Sequence, residues 1–331
     1  MGRLTARDPA WAARLREVVR GEVREGEALA RHSTFRIGGP ATVLLPAAAD
    51  DVAAALRLCA EVGVPWFALG LGSNLLFPDE GLDALVVRLG KGLDRLERDG
   101  TSWRIGAGLP GPIAARKTAA AGQAGLHRFV GVPGSVGGGV FMNAGCHGAE
   151  WAEVVTDVTV LDAAGHDRVL PRAAVPFAYR HSGLEGHVVV ETTVALREED
   201  PAVLTAETEE LFEWRERGTP FNQPCCGSTF RNPDGPSWQR AALHEAGGPR
   251  TAGQLIEAAG LKGLRVGAIE VSRVHANYFV NTGGGTANQV RTLMRKVQRD
   301  VHDRFGAWLE PEVKLVGPDG ALLADAPPAE A

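Results

Sequence analysis

TFRIGGPATVLLPAAADDVAAALRLCAEVGVPWFALGLGSN, Thr34 to Asn74, decides the fold class. Thr34 to Leu45 reads as a turn feeding a strand. Ala49 to Val62 then opens on acidic residues and spaces its apolar ones as a helix does. Trp66 to Leu69 is a short apolar strand that runs straight into Gly70. A strand, a helix and a second strand ending in a glycine loop make a βαβ unit, and the α/β class follows.

Working outward, Asp8 to Glu27 reads as one or two short helices, with Leu15, Val18 and Val19 at helical spacing. Leu85 to Leu89, Ser102 to Ile105, Val154 to Leu161 and Val188 to Leu196 read as strands, and Pro112 to Ala121 as a helix. Leu204 to Arg217 is a charged helix after the break at Glu198 to Pro201. Beyond it, Val290, Leu293, Met294, Val297, Val301 and Phe305 form an apolar stripe on one helix, which reads as domain core. The expected division is a region over 1–200 made of two α/β subdomains, about 1–85 and 86–200. A smaller α+β domain over 201–318 and a flexible tail over 319–331 follow.

The 331 residues suggest roughly two domains at about 150 residues each. Forty acidic residues against 35 basic leave a net charge of −5, without the basic footprint of a nucleic-acid binder or a polybasic membrane patch. No run approaches the roughly 20 apolar residues of a membrane span, and the charged N-terminus is no secretory leader. The chain therefore reads as cytosolic. Cys59, Cys146, Cys225 and Cys226 lack the spacing of a disulfide framework or a zinc site, so reduced thiols and no metal are expected.

Glycine is the outlier at 42 residues, and it is clustered. Gly70-Leu71-Gly72-Ser73-Asn74 and GVPGSVGGGVFMNAG, Gly131 to Gly145, both read as loops whose backbone N–H groups can converge on a phosphate. Gly106 to Gly111 matches G-x-G-x-x-G, but no acidic residue follows about 20 positions later to hold a ribose, which argues against a Rossmann site. Gly100 to Ala149 holds no Asp or Glu, yet carries Arg104, Arg116, Lys117 and Arg128. An acid-free stretch around the main glycine cluster suits a dinucleotide diphosphate.

The chain also resembles a known family. TFRIGG (34–39), GLGSNLLF (70–77) and GVPGSVGGGVFMNAGCHG (131–148) look like the flavin-binding segments of the UDP-N-acetylenolpyruvoylglucosamine reductases. FAYRHS (177–182), GSTFRNP (227–233), AGQLIEAAGLKG (252–263), VHANYFVN (274–281) and LEPEVKLVG (309–317) follow in family order. With only Tyr179 and Tyr278 in the chain, it resembles the shorter subclass that lacks a tyrosine-bearing lid loop. The resemblance implies a mixed α/β and α+β protein: an FAD-binding domain of the vanillyl-alcohol-oxidase type, then a substrate-binding domain. It implies FAD as cofactor and NADPH as hydride donor. It further implies reduction of UDP-N-acetylglucosamine enolpyruvate to UDP-N-acetylmuramate by a monomer.

Residue by residue, the same resemblance assigns Ser228 as proton donor to C2, Arg180 as the fixed cation for the substrate carboxylate, and Glu312 as support for the enolate. Glu310 is its rival, since alternation would put both on one strand face. Thr34, Arg36, Gly38, Gly39, Gly70, Gly72, Ser73, Asn74, Gly131, Pro133, Gly134, Ser135, Gly137, Gly138, Asn143, Ala144, Gly145 and Gly148 match the cofactor segments. Tyr179, Arg217, Asn232 and His275 are candidates for substrate contact, with His275 equally readable as a buried hydrogen-bonded histidine. Leu71, Ala178 and Cys225-Cys226 depart from the family pattern, and Asp234 to Arg250 is an insert that could reshape the substrate mouth. The rival readings are a flavin oxidase, against which Gly70 to Gly81 offers no His or Cys for flavin attachment, and a flavin-binding sensor without turnover.

Overall fold

The computed structural model describes residues 4–233 and 251–324; the insert Asp234 to Arg250 and the end of the tail lie outside them. The chain forms two compact units interleaved in sequence. The first comprises Met1–Glu27, Ala41–Leu71 and Asp83–Arg217, and the second Ala28–Pro40, Gly72–Leu82 and Gly218–Ala331. A single cut near residue 200 misses this exchange.

In the first unit, strands Pro40–Leu45, Leu85–Arg88 and Trp66–Leu69 pair in parallel, with Leu85–Arg88 in the middle. Helix Ala49–Val62 makes the crossover between the outer two and stops at Gly63, whose φ of 71° provides the left-handed cap. Asp51, buried near its start, accepts from the backbone N–H groups of Arg20, Gly21 and Ala47. The N-terminal segment departs from expectation: helix Pro9–Val18 ends early, and Glu22–Ala28 is a strand of the same sheet. Its six other positions give Val23 no apolar alternation to announce a strand.

A second, five-stranded sheet of the first unit contains Ser102–Gly106, paired antiparallel on both sides, with Val188–Ala195 and Leu96–Asp99. The G-x-G-x-x-G turn thus leaves an antiparallel strand, which the βαβ geometry of a Rossmann site excludes. Trp103, Ile105, Val158, Val160 and Val194 enter the core shared with Leu85, Val87 and helix Ala49–Val62.

The second unit has an antiparallel sheet in the order Cys225–Ser228, Tyr278–Asn281, Ile269–Val271, Arg265–Val266. Helix Ala287–Phe305 buries Val290, Leu293, Met294, Val297 and Val301, and a capping box of Thr286 and Gln289 starts it. Phe35, Ile37 and Leu76 from the two early segments join this core. Leu75–Leu76 pairs in parallel with Lys314–Val316, which also pairs with Leu322–Leu323. The stretch expected to open the flexible tail therefore carries a strand. No helix among the described residues is long and apolar enough to cross a membrane.

Candidate functional site

In the first unit three glycine turns touch. The Gly111 N–H donates to the Gly134 carbonyl at 2.8 Å and the Val136 N–H to that of Leu109 at 2.8 Å. A Cβ on Gly70 would stand 2.3 Å from Ser135 Oγ. Ser135 caps helix Val136–Phe141 by accepting from the Gly138 N–H at 3.3 Å. Within that helix the glycines divide their work. A Cβ on Gly137 would lie 2.6 Å from Ala107 Cβ and one on Gly139 2.5 Å from the Trp151 indole nitrogen, whereas one on Gly138 meets only Ser135 Oγ, at 3.4 Å. Gly137 and Gly139 serve packing, and Gly138 leaves open backbone.

The segment after this helix positions Arg180. Asn143, buried at a φ of 42°, donates to Glu150 and to the Ala178 carbonyl, both at 2.9 Å, and accepts from the Ala152 N–H. Its side chain is thus committed to the loop, alongside the backbone of Ala144. Ala178 and His181 exchange both backbone hydrogen bonds across a two-residue turn, and Arg180 takes its left-handed corner at a φ of 56°. Ser182 Oγ donates to the Phe141 carbonyl at 2.6 Å and fastens the turn to the helix. Arg180 Nη2 donates to the Gly145 carbonyl at 3.4 Å, and its guanidinium lies 4.8 Å from the half-exposed Tyr179 ring. Residues this strained are held where the surroundings over-determine them, which suits a fixed cation.

Arg217 sits exposed near the end of helix Pro201–Gly218, 3.9 Å from Glu213. Arg215, two residues earlier and so about 200° around the helix, reaches the glycine cluster: its Cγ lies 2.5 Å from where a Gly131 Cβ would be. Arg217, the substrate-contact candidate, is thus the more outward of the two. Beside the same loop the His147 ring meets Trp214 edge-on at 5.1 Å, and burial with nearby Arg215 and Arg128 lowers its pKa. Gly148 is open, with a φ of 74°, and Pro133 precedes Gly134 in the turn.

The second unit gathers the other candidates. Thr34 Oγ1 donates to the Cys225 carbonyl at 2.6 Å, and its N–H to that of Gly72. Gly72, at a φ of 63°, has no room for a side chain, since a Cβ would be 2.2 Å from the His32 carbonyl oxygen. Gly38 and Gly39 pack against Phe77 and the Asp79 backbone, and Arg36 is exposed. The Ser73 carbonyl oxygen lies 3.7 Å from where a Cβ on Gly227 would be. Asn74 is bound to the Glu312 segment: its Nδ2 donates to the Glu312 carbonyl at 3.3 Å and its own carbonyl accepts from Lys314.

Ser228 and Glu312 occupy neighbouring segments. The Glu312 N–H donates to the Thr229 carbonyl at 2.8 Å and the Arg231 N–H to the Glu310 carbonyl at 2.8 Å, around an antiparallel bridge of Phe230 with Pro311. Glu310 turns its carboxylate outward, two-thirds exposed and 3.8 Å from Arg231. The Glu312 charge, by contrast, helps raise the pKa of buried Cys226, beneath the desolvation that dominates it. Of the two glutamates, it is Glu312 whose charge is felt at Cys226, two residues before Ser228.

Asn277 was missed as a site-builder. Buried, it donates to the Phe230 carbonyl at 2.8 Å and accepts from the Phe230 N–H at 3.0 Å, while its carbonyl accepts from Thr229. These bonds set the backbone that follows Ser228. The signal is an Asn two residues after His275, directly before the strand Tyr278–Asn281. His275 itself is half-buried, accepting from the Asn277 N–H through Nδ1 at 3.2 Å and meeting the Tyr278 ring at 4.9 Å. Asn232 is exposed, and its Oδ1 accepts from the Ala252 N–H at the start of helix Ala252–Ala258.

Comparison with known proteins adds the following. Residues 219–316 match the family model described as UDP-N-acetylenolpyruvoylglucosamine reductase, C-terminal domain, and residues 40–169 the model of an FAD binding domain. The UDP-N-acetylenolpyruvoylglucosamine reductase of Rubrobacter xylanophilus is 43% identical over 295 residues, covering 88% of this chain and 94% of its own. That of Halalkalibacterium halodurans is 39% identical over 306 residues, 92% and 97%. The crystal structure of UDP-N-acetylenolpyruvylglucosamine reductase from Thermus caldophilus superposes with a TM-score of 0.75 at 31% identity, covering 89% of this chain and 99% of that one.

Proposed function

This chain belongs to the UDP-N-acetylenolpyruvoylglucosamine reductase family, and from that premise we propose that Arg180, Ser228 and Glu312 carry its reaction. The protein is an FAD-dependent oxidoreductase that uses NADPH to reduce the enolpyruvyl group of a UDP-sugar in peptidoglycan synthesis. FAD, when bound, supplies the hydride that C3 of the enolpyruvyl group receives.

The first unit fits the ADP half of such a cofactor: its glycine turns are in mutual backbone contact, the space beside the Gly138 Cα is open, and the stretch from Gly100 to Ala149 holds no carboxylate. Addition at C3 puts negative charge on C2 and the adjoining carboxylate. Arg180 meets that carboxylate with a permanent planar charge held in one orientation. Ser228 delivers the proton to C2, which requires surroundings that lower the cost of its brief deprotonation. Glu312 lies on the neighbouring segment and steadies the enolate and the proton transfer. What supports Glu312 over Glu310 is that its charge is felt at Cys226, two residues before Ser228, whereas the Glu310 carboxylate is exposed beside Arg231.

Tyr179 and His275 are proposed to contact the sugar nucleotide, and Arg217 and Asn232 its diphosphate. FAD is assigned to the first unit, which also carries Tyr179, Arg180 and Arg217, while Ser228, Asn232, His275 and Glu312 belong to the second. The enzyme is proposed to act as a cytosolic monomer, without nucleic-acid or membrane partners. Incubation with NADPH and UDP-N-acetylglucosamine enolpyruvate tests the reading: the product should be heavier by two hydrogens, with one NADPH consumed for each. NADPH oxidation without that mass change would overturn it.

A further inference from the structure

Arg88 ends the central strand of the parallel sheet in the first unit, directly after Leu85, Val86 and Val87, all fully buried. It pairs in register with Leu69, the last residue before Gly70, and the Leu89 N–H closes onto the Leu69 carbonyl at 2.8 Å. The carboxyl ends of parallel strands are where open α/β sheets receive ligands. Two further glycine turns border this one. A Cβ on Gly90 would lie 3.8 Å from Arg88 Nη1, and a Cβ on Gly108 would lie 2.4 Å from the Gly90 carbonyl oxygen.

Within this setting the guanidinium is only partly answered. Nη1 donates to the Leu89 carbonyl. Nε and Nη2 make no hydrogen bond, and no carboxylate lies within ion-pair distance, among the described residues. Neither nitrogen is sealed from its surroundings. Burial holds the Arg88 pKa below its ordinary value, with no opposing charge to raise it. Arginine nevertheless stays protonated in proteins, so a largely desolvated cation stands here without a counter-ion. Such a group is costly unless an anion meets it. Nε and Nη2 together present the two parallel N–H groups of a fork suited to the oxygens of a phosphate.

We propose that Arg88 contacts the diphosphate of FAD, adding a fixed positive charge to the backbone N–H groups of the glycine turns. The inference rests on the FAD-dependent reading above and concerns cofactor retention rather than the reaction.

The test uses flavin-free protein titrated with FAD, followed by flavin fluorescence, at low and high KCl. The Arg88→Met variant should bind FAD about ten- to a hundredfold more weakly, the range for one hydrogen bond to a charged group. Its affinity should also depend less on salt than the wild type's. ADP, measured by calorimetry, should lose affinity in parallel. Arg88→Lys, which keeps the charge but not the fork, should fall between the two and serves if the Met variant does not fold. Equal FAD and ADP affinities in wild type, Met and Lys forms would overturn the inference and leave the functional reading standing. A wild-type chain that takes up no FAD would overturn both.

Discussion

Substitutions at Ser228 and Asn277 should separate the proposed chemistry from structural support. Ser228→Ala removes one hydroxyl from a half-buried strand end, so flavin reduction by NADPH should be unchanged while reduction of the enolpyruvyl substrate slows about 10²- to 10⁴-fold, the usual value of a positioned proton donor. Rapid-mixing measurement of each half-reaction checks it, and an unimpaired second half-reaction would remove Ser228 from its role. Asn277→Ala strands the Phe230 backbone groups in a buried site. It should cost about 2–4 kcal/mol of stability, from one to two unsatisfied groups, read as a lower thermal midpoint. The roles proposed for Ser228, Arg180 and Glu312 rest on contiguous motifs that can be read in the sequence. Asn277 and Ser182 also lie inside motifs, but their partners Phe230 and Phe141, like the Gly131 beside Arg215, are far away in sequence, and no motif names such a partner. Arg215 shows the limit: residue type and motif position do not say which arginine of a helix lies against the glycines.

At the scale of elements, the glycine helix Val136–Phe141 gives the sharpest contrast. Gly137→Ala and Gly139→Ala push a methyl into Ala107 and Trp151, and each should destabilise the flavin-free protein by about 1–3 kcal/mol, as overpacking does. Gly138→Ala has room and gains helix propensity, so its flavin-free melting midpoint should not fall; its FAD affinity should, if that face receives the cofactor. Calorimetric melting and flavin titration of the three variants distinguish the two uses. The sequence placed this helix only as a glycine-rich segment, because three adjacent glycines argue against a helix until Ala107 and Trp151 are known to press on it. Helix Ala49–Val62 and strand Trp66–Leu69, by contrast, were readable residue for residue from acidic start, apolar spacing and terminal glycine. Strand Glu22–Ala28 was not, since five of its seven positions are charged or glycine.

For the molecule as a whole, the interleaving of the two units has a direct consequence. A fragment of residues 218–331 lacks Phe35, Ile37 and Leu76 from its core and the strand Leu75–Leu76 beside Lys314–Val316. It should therefore show no cooperative melt in circular dichroism; a cooperative one would mean that the early segments are dispensable. Such pairings are invisible to a reading that cuts the chain at composition breaks, because they depend on contacts more than 200 residues apart.

Acid sensitivity is a second property of the whole chain. Burial lowers the pKa of His127, against the partial opposition of Glu207, and lowers that of His147. Below about pH 6.5, the ordinary histidine value, the unfolded chain binds protons that the folded chain does not, so stability present at neutral pH is lost as pH falls. Urea midpoints at pH 7.5 and 5.5 should show the drop, and His127→Gln should make it smaller. A wild-type midpoint as high at pH 5.5 would contradict this.

The central claim, that the bound flavin links NADPH to an enolpyruvyl acceptor, is tested most directly by adding the two substrates in turn without oxygen and following the visible flavin spectrum. The account predicts bleaching by NADPH, persistence of the bleached form, and recovery of the oxidised spectrum only when UDP-N-acetylglucosamine enolpyruvate is added. Bleaching that this substrate fails to reverse would contradict it.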